Sequence, residues 1–233
     1  LPGESELLRD GLSASPAQLT SLWARERPHL GRPVSNAGEI GLLLGEVLLR
    51  SDDPGDHANA VKLYGILEAG DWDSKRRAQA RLGRLQALVK TGAAAEVMEE
   101  ARKIAQEGGD PGLLLAAEHV LAQQDLTRLR ELVVENPRWR EDDYASPEIE
   151  GLYHDLLDRF LKPFLFHGTK QRAAARGLLG AGEVYLLIGR PTQARQCIDD
   201  ILIFYPNVEE RSEAERILGK ITTEPDEEND RKE

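Results

Sequence analysis

Helical periodicity recurs along nearly the whole chain, and it is the sequence feature that most limits the fold. Apolar residues return every three or four positions in successive stretches of roughly 10–16 residues, the spacing of one face of an α-helix. Alternating runs rich in Val, Ile and Thr, which would indicate strands, do not occur. Turn-forming residues separate the stretches, at 52–55, 70–73, 91–92, 108–112, 123–125, 136–137 and 189–191. The sequence therefore predicts an all-α fold of antiparallel helices joined by short turns.

Several turns carry the residues that start helices. A capping residue or a first-turn Pro precedes an apolar stretch at Ser74, Asp110–Pro111, Ser146–Pro147 and Arg190–Pro191. A long aromatic stretch at 147–167 contains Pro163, and we expect this Pro to kink or end the helix.

One segment, Ala174–Val208, has the spacing of a helical repeat. Successive spacings of about 4, 3, 4, 5, 4 and 8 residues separate Leu178, Gly182, Tyr185, Gly189, Ala194, Ile198 and Pro206. This pattern resembles the tetratricopeptide repeat. The small residues Gly182 and Ala194 would let the two helices of a hairpin approach closely. The resemblance implies antiparallel hairpins stacked into a right-handed superhelix, an α-solenoid.

Three further segments match the repeat less well. They begin near Leu44, Arg81 and Leu113, and Arg81 breaks the pattern because the position calls for a large apolar residue. In the third segment we expect a turn at Gln124. The resulting domain prediction is an N-terminal helical cap at 1–37, a repeat domain at 38–221 and an acidic disordered tail at 222–233. The cap is predicted to contain two amphipathic pieces, Glu4–Leu12 and Pro16–Glu26.

Composition excludes several classes of function. The 233 residues include 30 Lys and Arg against 41 Asp and Glu, a net charge of -11, which argues against DNA binding and against broad attraction to anionic membranes. The tail alone contributes -4 of this charge. The single Cys197 excludes an internal disulfide and multi-cysteine metal sites. No apolar run approaches the roughly 18 residues of a membrane span, so we expect no integral membrane segment.

The leading hypothesis is a non-catalytic scaffold that binds a protein or peptide of unknown identity, with no cofactor. The resemblance implies that the first helix of each hairpin lines a concave groove. In the best repeat that helix offers Arg176, Leu179, Glu183, Leu186 and Leu187. The carboxylate-clamp subfamily is not matched, because Leu179, Gly180 and Glu183 stand at the clamp positions. Self-association is a further expectation, since degenerate end repeats can leave an apolar edge uncovered.

Two alternatives use charged clusters. Glu150, His154 and Asp158 share one helical face and could bind a divalent metal or act as acid and base in an enzyme-associated domain. A basic cluster could bind an anionic ligand or RNA, and it consists of Lys75, Arg76, Arg77, Arg81 and Arg84. The glycines of 177–182 (GLLGAG) lack the preceding strand of a phosphate loop, so we interpret them as helix-packing residues.

Two sequence features bear on the compartment. The chain begins at Leu1 and shows no signal-peptide pattern, so we expect any leader to have been removed. The Phe204–Asn207 segment (FYPN) followed by an acidic helix is similar to bacterial envelope tetratricopeptide proteins. This similarity favours a periplasmic or envelope location over a cytoplasmic one.

Overall fold

The computed structural model describes residues 15–223 of the chain, with side chains to residue 221. Within these residues it contains ten α-helices and no strand, which confirms the all-α prediction. The predicted N-terminal piece Glu4–Leu12 and residues 224–233 of the predicted tail lie outside the described residues. The helices are α1 (Pro16–Glu26), α2 (Ala37–Arg50), α3 (Pro54–Gly70), α4 (Ser74–Thr91), α5 (Ala94–Glu107), α6 (Pro111–Glu135), α7 (Ala145–His167), α8 (Gln171–Leu187), α9 (Pro191–Phe204) and α10 (Arg211–Thr223).

Short polar side chains start several helices by accepting hydrogen bonds from free backbone N–H groups. Ser15 and Gln18 form a capping box at α1. Asp53 Oδ1 accepts from Gly55 N at 2.8 Å before α3, and Asp73 Oδ1 accepts from Lys75 N at 2.8 Å before α4. These caps place the helix starts at the predicted turns, but Asp73 rather than the predicted Ser74 caps α4, because the Asp73 carboxylate accepts the free backbone N–H groups and Ser74 is already helical.

Three predicted boundaries differ from the structure. The turn expected at Gln124 is wrong: α6 runs without interruption from Pro111 to Glu135. Gln and Asp are compatible with a helix interior, and no Gly or Pro stands there to break it. Helix α7 begins at Ala145, ahead of the predicted Ser146, because Asp142 Oδ1 accepts from Ala145 N at 3.1 Å. The same helix continues past Pro163 to His167, so Pro163 does not end it.

The chain divides into two compact units, Leu1–Ala117 and Glu118–Glu233. In the first unit α2 packs against α1, α3 and α4, and α4 packs against α3 and α5. Its core centres on Tyr64 of α3, which is almost fully buried. A Cβ atom would lie 2.7 Å from Tyr64 Cε1 if added at Gly45 of α2, and 2.6 Å if added at Gly83 of α4. Two glycines therefore make room for the ring between three helices.

The second unit uses the same kind of packing. Helix α8 packs against α7 and α9, and α10 packs against α9. Phe160 of α7 is buried, and a Cβ added at Gly180 of α8 would lie 2.6 Å from its ring. Gly177 lies against the Phe160 backbone carbonyl. The interpretation of 177–182 as helix-packing glycines is thereby confirmed.

Ion pairs hold α6 against α7. Three cations and three carboxylates face each other along the two helices at 2.6–3.0 Å, and the pairs are Lys162–Glu118, Arg159–Asp125 and Arg128–Glu148. Leu126 and Leu129 of α6 are buried in the same core as Phe160. Because α6 is one continuous helix, it cannot fold back on itself at Gln124, and it pairs with α7 instead. None of the helices in residues 15–223 is long and apolar enough to cross a membrane.

The glycine contacts predict a test of the fold. Gly83→Ala should destabilise the first unit by about 1–3 kcal/mol, because the added methyl group overlaps the buried Tyr64 ring. Gly65→Ala is the matched control, since a Cβ there meets no neighbouring atom and Ala favours a helix interior by up to about 1 kcal/mol. Urea unfolding measures both. Equal stability of the two variants would contradict the packing described here.

Candidate functional site

The predicted groove residues lie on one side of α8, and both charged members are already ion-paired. Arg176 Nε donates to Glu210 Oε1 at 2.7 Å, at the start of α10. Glu183 Oε2 accepts from Arg130 Nη2 of α6 at 2.5 Å. These pairs connect α8 to α6 and to the residue that precedes α10, so both charges are already engaged within the protein.

The three leucines of this side differ in exposure. Leu186 is 37% exposed, whereas Leu179 and Leu187 are partly buried and pack against the core of the second unit. Leu186 is therefore the most open apolar side chain of the predicted groove. We call the set Arg176, Leu179, Glu183, Leu186 and Leu187 the α8 face.

A buried polar cluster adjoins the α8 face. Glu210 is only 8% exposed, and its Oε2 has no hydrogen-bond partner among the described residues. His119 of α6 packs edge-on against the Phe160 ring, with 5.8 Å between ring centroids. Burial and the nearby Arg176 guanidinium lower the pKa of His119 to about 4, against an opposing effect of Glu210. His119 is therefore a neutral ring at physiological pH.

The basic residues Arg76 and Arg77 of α4 are engaged within the first unit. Arg76 forms a two-pronged pair with the buried Asp71 carboxylate, from Nε at 2.8 Å and from Nη2 at 2.9 Å. Its guanidinium also lies 5.3 Å from the centre of the Trp72 ring. Arg77 Nη1 donates to the backbone carbonyls of Asp71 and Trp72 at 2.8 and 3.0 Å. These contacts order the turn between α3 and α4.

Arg81 and Arg84 join three helices around a buried carboxylate. Arg81 Nε and Arg84 Nη2 each lie 3.2 Å from an oxygen of Glu100 in α5, which is buried. Glu68 of α3 accepts from Arg84 at 2.8 Å, and Glu107 pairs with Arg81 at 2.6 Å. An anionic ligand at this cluster would compete with these carboxylates. The sequence indicated that Arg81 departs from the repeat pattern, and it did not indicate that Glu100 supplies the buried counter-charge.

The residues of the metal-binding alternative are exposed on α7. Glu150, His154 and Asp158 all face solvent, and the Glu150 carboxylate accepts from the Ser146 hydroxyl at 3.3 Å. Within the described part of the chain, no three His, Cys, Asp or Glu side chains are grouped so that they could hold a metal ion.

Cys197 is a buried packing residue of α9. Burial, together with the neighbouring Asp200, raises the pKa of its thiol to about 11. The thiol is therefore protonated at neutral pH and does not have the reactivity of a thiolate.

A surface concavity of about 600 Å³ lies at the connection between α6 and α7. Residues 135–139 and 141–144 line it, with Trp139 buried beneath and Tyr144 93% exposed. Four carboxylates and one Arg give it a negative balance. One of them, Asp142, accepts hydrogen bonds from the backbone N–H groups of Tyr144 and Ala145, which lower its pKa. Sequence reasoning did not select this segment, because its carboxylates have no motif spacing.

Comparisons with protein-family models, with curated proteins and with solved structures found no match to this chain. The tetratricopeptide resemblance therefore depends on the residue spacing of Ala174–Val208.

Glu100 supplies the test of the arginine network. Glu100→Gln should cost about 2 kcal/mol of unfolding free energy, because two charge-assisted hydrogen bonds lose their anion while Glu68 and Glu107 remain to pair the arginines. Chemical denaturation measures this cost. Glu99→Gln is the control on the exposed side of the same helix and should change stability little. An unchanged free energy of unfolding in Glu100→Gln would mean that the network does not stabilise the unit.

The lowered pKa of His119 predicts a pH dependence of stability. The unfolded chain binds this proton near pH 6.5 and the folded chain only near pH 4, so stability is complete above pH 6.5 and falls as the pH drops through this window. The loss attributable to His119 should be about 2 kcal/mol between pH 7 and 5. Urea unfolding of His119→Gln at both pH values should show a correspondingly smaller loss. His154→Gln, exposed on α7, should keep the full loss; identical pH dependence of both variants would contradict the assignment.

Proposed function

We propose that the protein is a non-catalytic interaction scaffold of tetratricopeptide-like hairpins, and that the α8 face contacts a protein or peptide partner. Each hairpin pairs a first helix with a second helix: α2 with α3, α4 with α5, α6 with α7, and α8 with α9. The helix lengths of 14–25 residues and the short connections suit such stacking.

The observation that carries the proposal is the order of neighbours within each unit. In the first unit α3 packs on its own partner α2 and on the following first helix α4, and α2 also meets α4. In the second unit α7 packs on the following first helix α8, and Arg130–Glu183 joins the first helices α6 and α8. First helices that adjoin one another along one side are the arrangement expected of a solenoid with a binding face.

The described terminal helices support the same proposal. Helix α1 buries Leu19 and Trp23 and exposes Gln18, Thr20 and Ser21. Helix α10 buries Ala214 and Ile217 against the core of the second unit and exposes polar residues, namely Ser212, Glu215, Arg216 and Lys220. Helices with one apolar face and one polar face are what a repeat array needs as caps.

The chemistry of the α8 face indicates what the partner contributes. Because Arg176 and Glu183 are paired with Glu210 and Arg130, the accessible group that is not engaged within the protein is the Leu186 side chain. A partner that presents an apolar side chain, such as one face of an amphipathic helix, fits this surface better than a highly charged peptide.

A crosslinking experiment tests the proposal. A photoreactive amino acid replaces Leu186 on the α8 face, or Gln196 on the exposed side of α9 as the matched control. Irradiation in the source cells should give a discrete crosslinked species of higher mass from position 186 and none, or a different one, from position 196. Mass spectrometry identifies the partner.

Two outcomes would contradict the proposal. The first is the same set of crosslinked proteins from both positions. The second is a discrete partner captured only at position 196, which would place the binding surface on α9 rather than on the α8 face.

A further inference from the structure

Helix α10 is attached to the second unit by few apolar contacts. Among its described side chains only Ala214 and Ile217 are buried, with Leu218 and Ile221 partly buried. Helix α8, by contrast, contains eight buried residues. Burial of apolar surface is the main stabilising contribution to helix docking, so α10 depends more than α8 on other contacts.

Ion pairs of the two residues that precede α10 are among those other contacts. Glu210, which directly precedes α10, accepts from Arg176 Nε at 2.7 Å. Glu209 accepts from Arg172 Nη2, and Arg172 Nε also lies 3.8 Å from Glu210. Two arginines of α8 therefore hold the start of α10 in place.

Arg176 pairs with only one of the two carboxylate oxygens of Glu210. Glu210 Oε2 is buried and has no hydrogen-bond partner among the described residues, and a buried polar atom without a partner costs free energy. The nearby His119 is neutral and adds no positive charge. The docked position of α10 thus combines one short ion pair with a buried carboxylate oxygen that has no partner among the described residues, which favours undocking.

We propose that α10 is a latch: it undocks from α9, against which it packs, and from the arginines of α8 while the rest of the second unit stays folded, and undocking frees Arg176. The consequence for partner binding rests on the proposed function, because it assumes that Arg176 belongs to the binding surface. The latch itself concerns only contacts within the chain. It would let a partner with a carboxylate near its apolar side chain compete with Glu210 for Arg176.

Hydrogen exchange of the full chain, followed by mass spectrometry, tests the latch. In Glu210→Gln, amides of α10 should exchange at least tenfold faster, while amides of α7, α8 and α9 keep their protection. Glu215→Gln is the matched control: Glu215 is exposed and pairs with Arg211 within the same helix, so exchange should match that of the parent protein.

A second variant distinguishes local release of α10 from unfolding of the whole second unit. Arg176→Lys keeps the positive charge and loses the guanidinium geometry, so α10 should exchange faster by a smaller factor. Unchanged α10 exchange in Glu210→Gln, or equal acceleration of α7–α10 in both variants, would overturn the latch. Neither result bears on the crosslinking test, because Leu186 lies at the opposite end of α8 from Arg176.

Discussion

Close packing of an aromatic residue against helix glycines is the contact on which both units depend. The Tyr64 ring occupies the space left by Gly45 and Gly83, the Phe160 ring occupies the space left by Gly180, and Gly177 lies against the Phe160 backbone carbonyl. Gly83, Gly177 and Gly180 come from the helix that follows the aromatic residue's own helix, whereas Gly45 comes from the helix before it. A glycine in a helix interior costs up to about 1 kcal/mol relative to Ala. The close approach recovers this cost, since a large ring buried against backbone removes much apolar surface from water.

Ion pairs also specify how neighbouring helices meet around these cores. Arg81 stands where the repeat pattern has a large apolar residue, and its charge is balanced by Glu100 and Glu107. A buried ion pair adds less net stability than apolar packing of equal volume, yet it strongly penalises any arrangement that separates the charges. The network thus specifies how α3, α4 and α5 meet, and apolar packing supplies more of the stability.

Local features of the fold were predictable from the sequence, and the partners of charged side chains were not. The start of α4 and the glycine packing in α8 followed from residue types at short spacing, although Asp73, rather than the predicted Ser74, caps α4. The continuous α6 differs from the predicted turn because three polar residues in a row are typical of a turn, yet none of them breaks a helix. Glu183 lies 53 residues from Arg130, and Glu210 lies 34 residues from Arg176. The residue pattern of one helix cannot reveal such pairings, because they form only when separate helices pack together.

This difference changes which partner the proposed binding role of the α8 face would favour. Spacing alone places two opposite charges on the face and suggests a partner with complementary charges. Once both charges are paired within the protein, a charged partner must separate an existing pair before it gains a new one, and the net gain of such an exchange at a partly exposed site is small. An apolar side chain against Leu186 needs no such exchange and gains from burial. While α10 is docked, selectivity at the proposed binding face is therefore expected to come from shape and apolar contact, with the ion pairs maintaining the geometry of the surface.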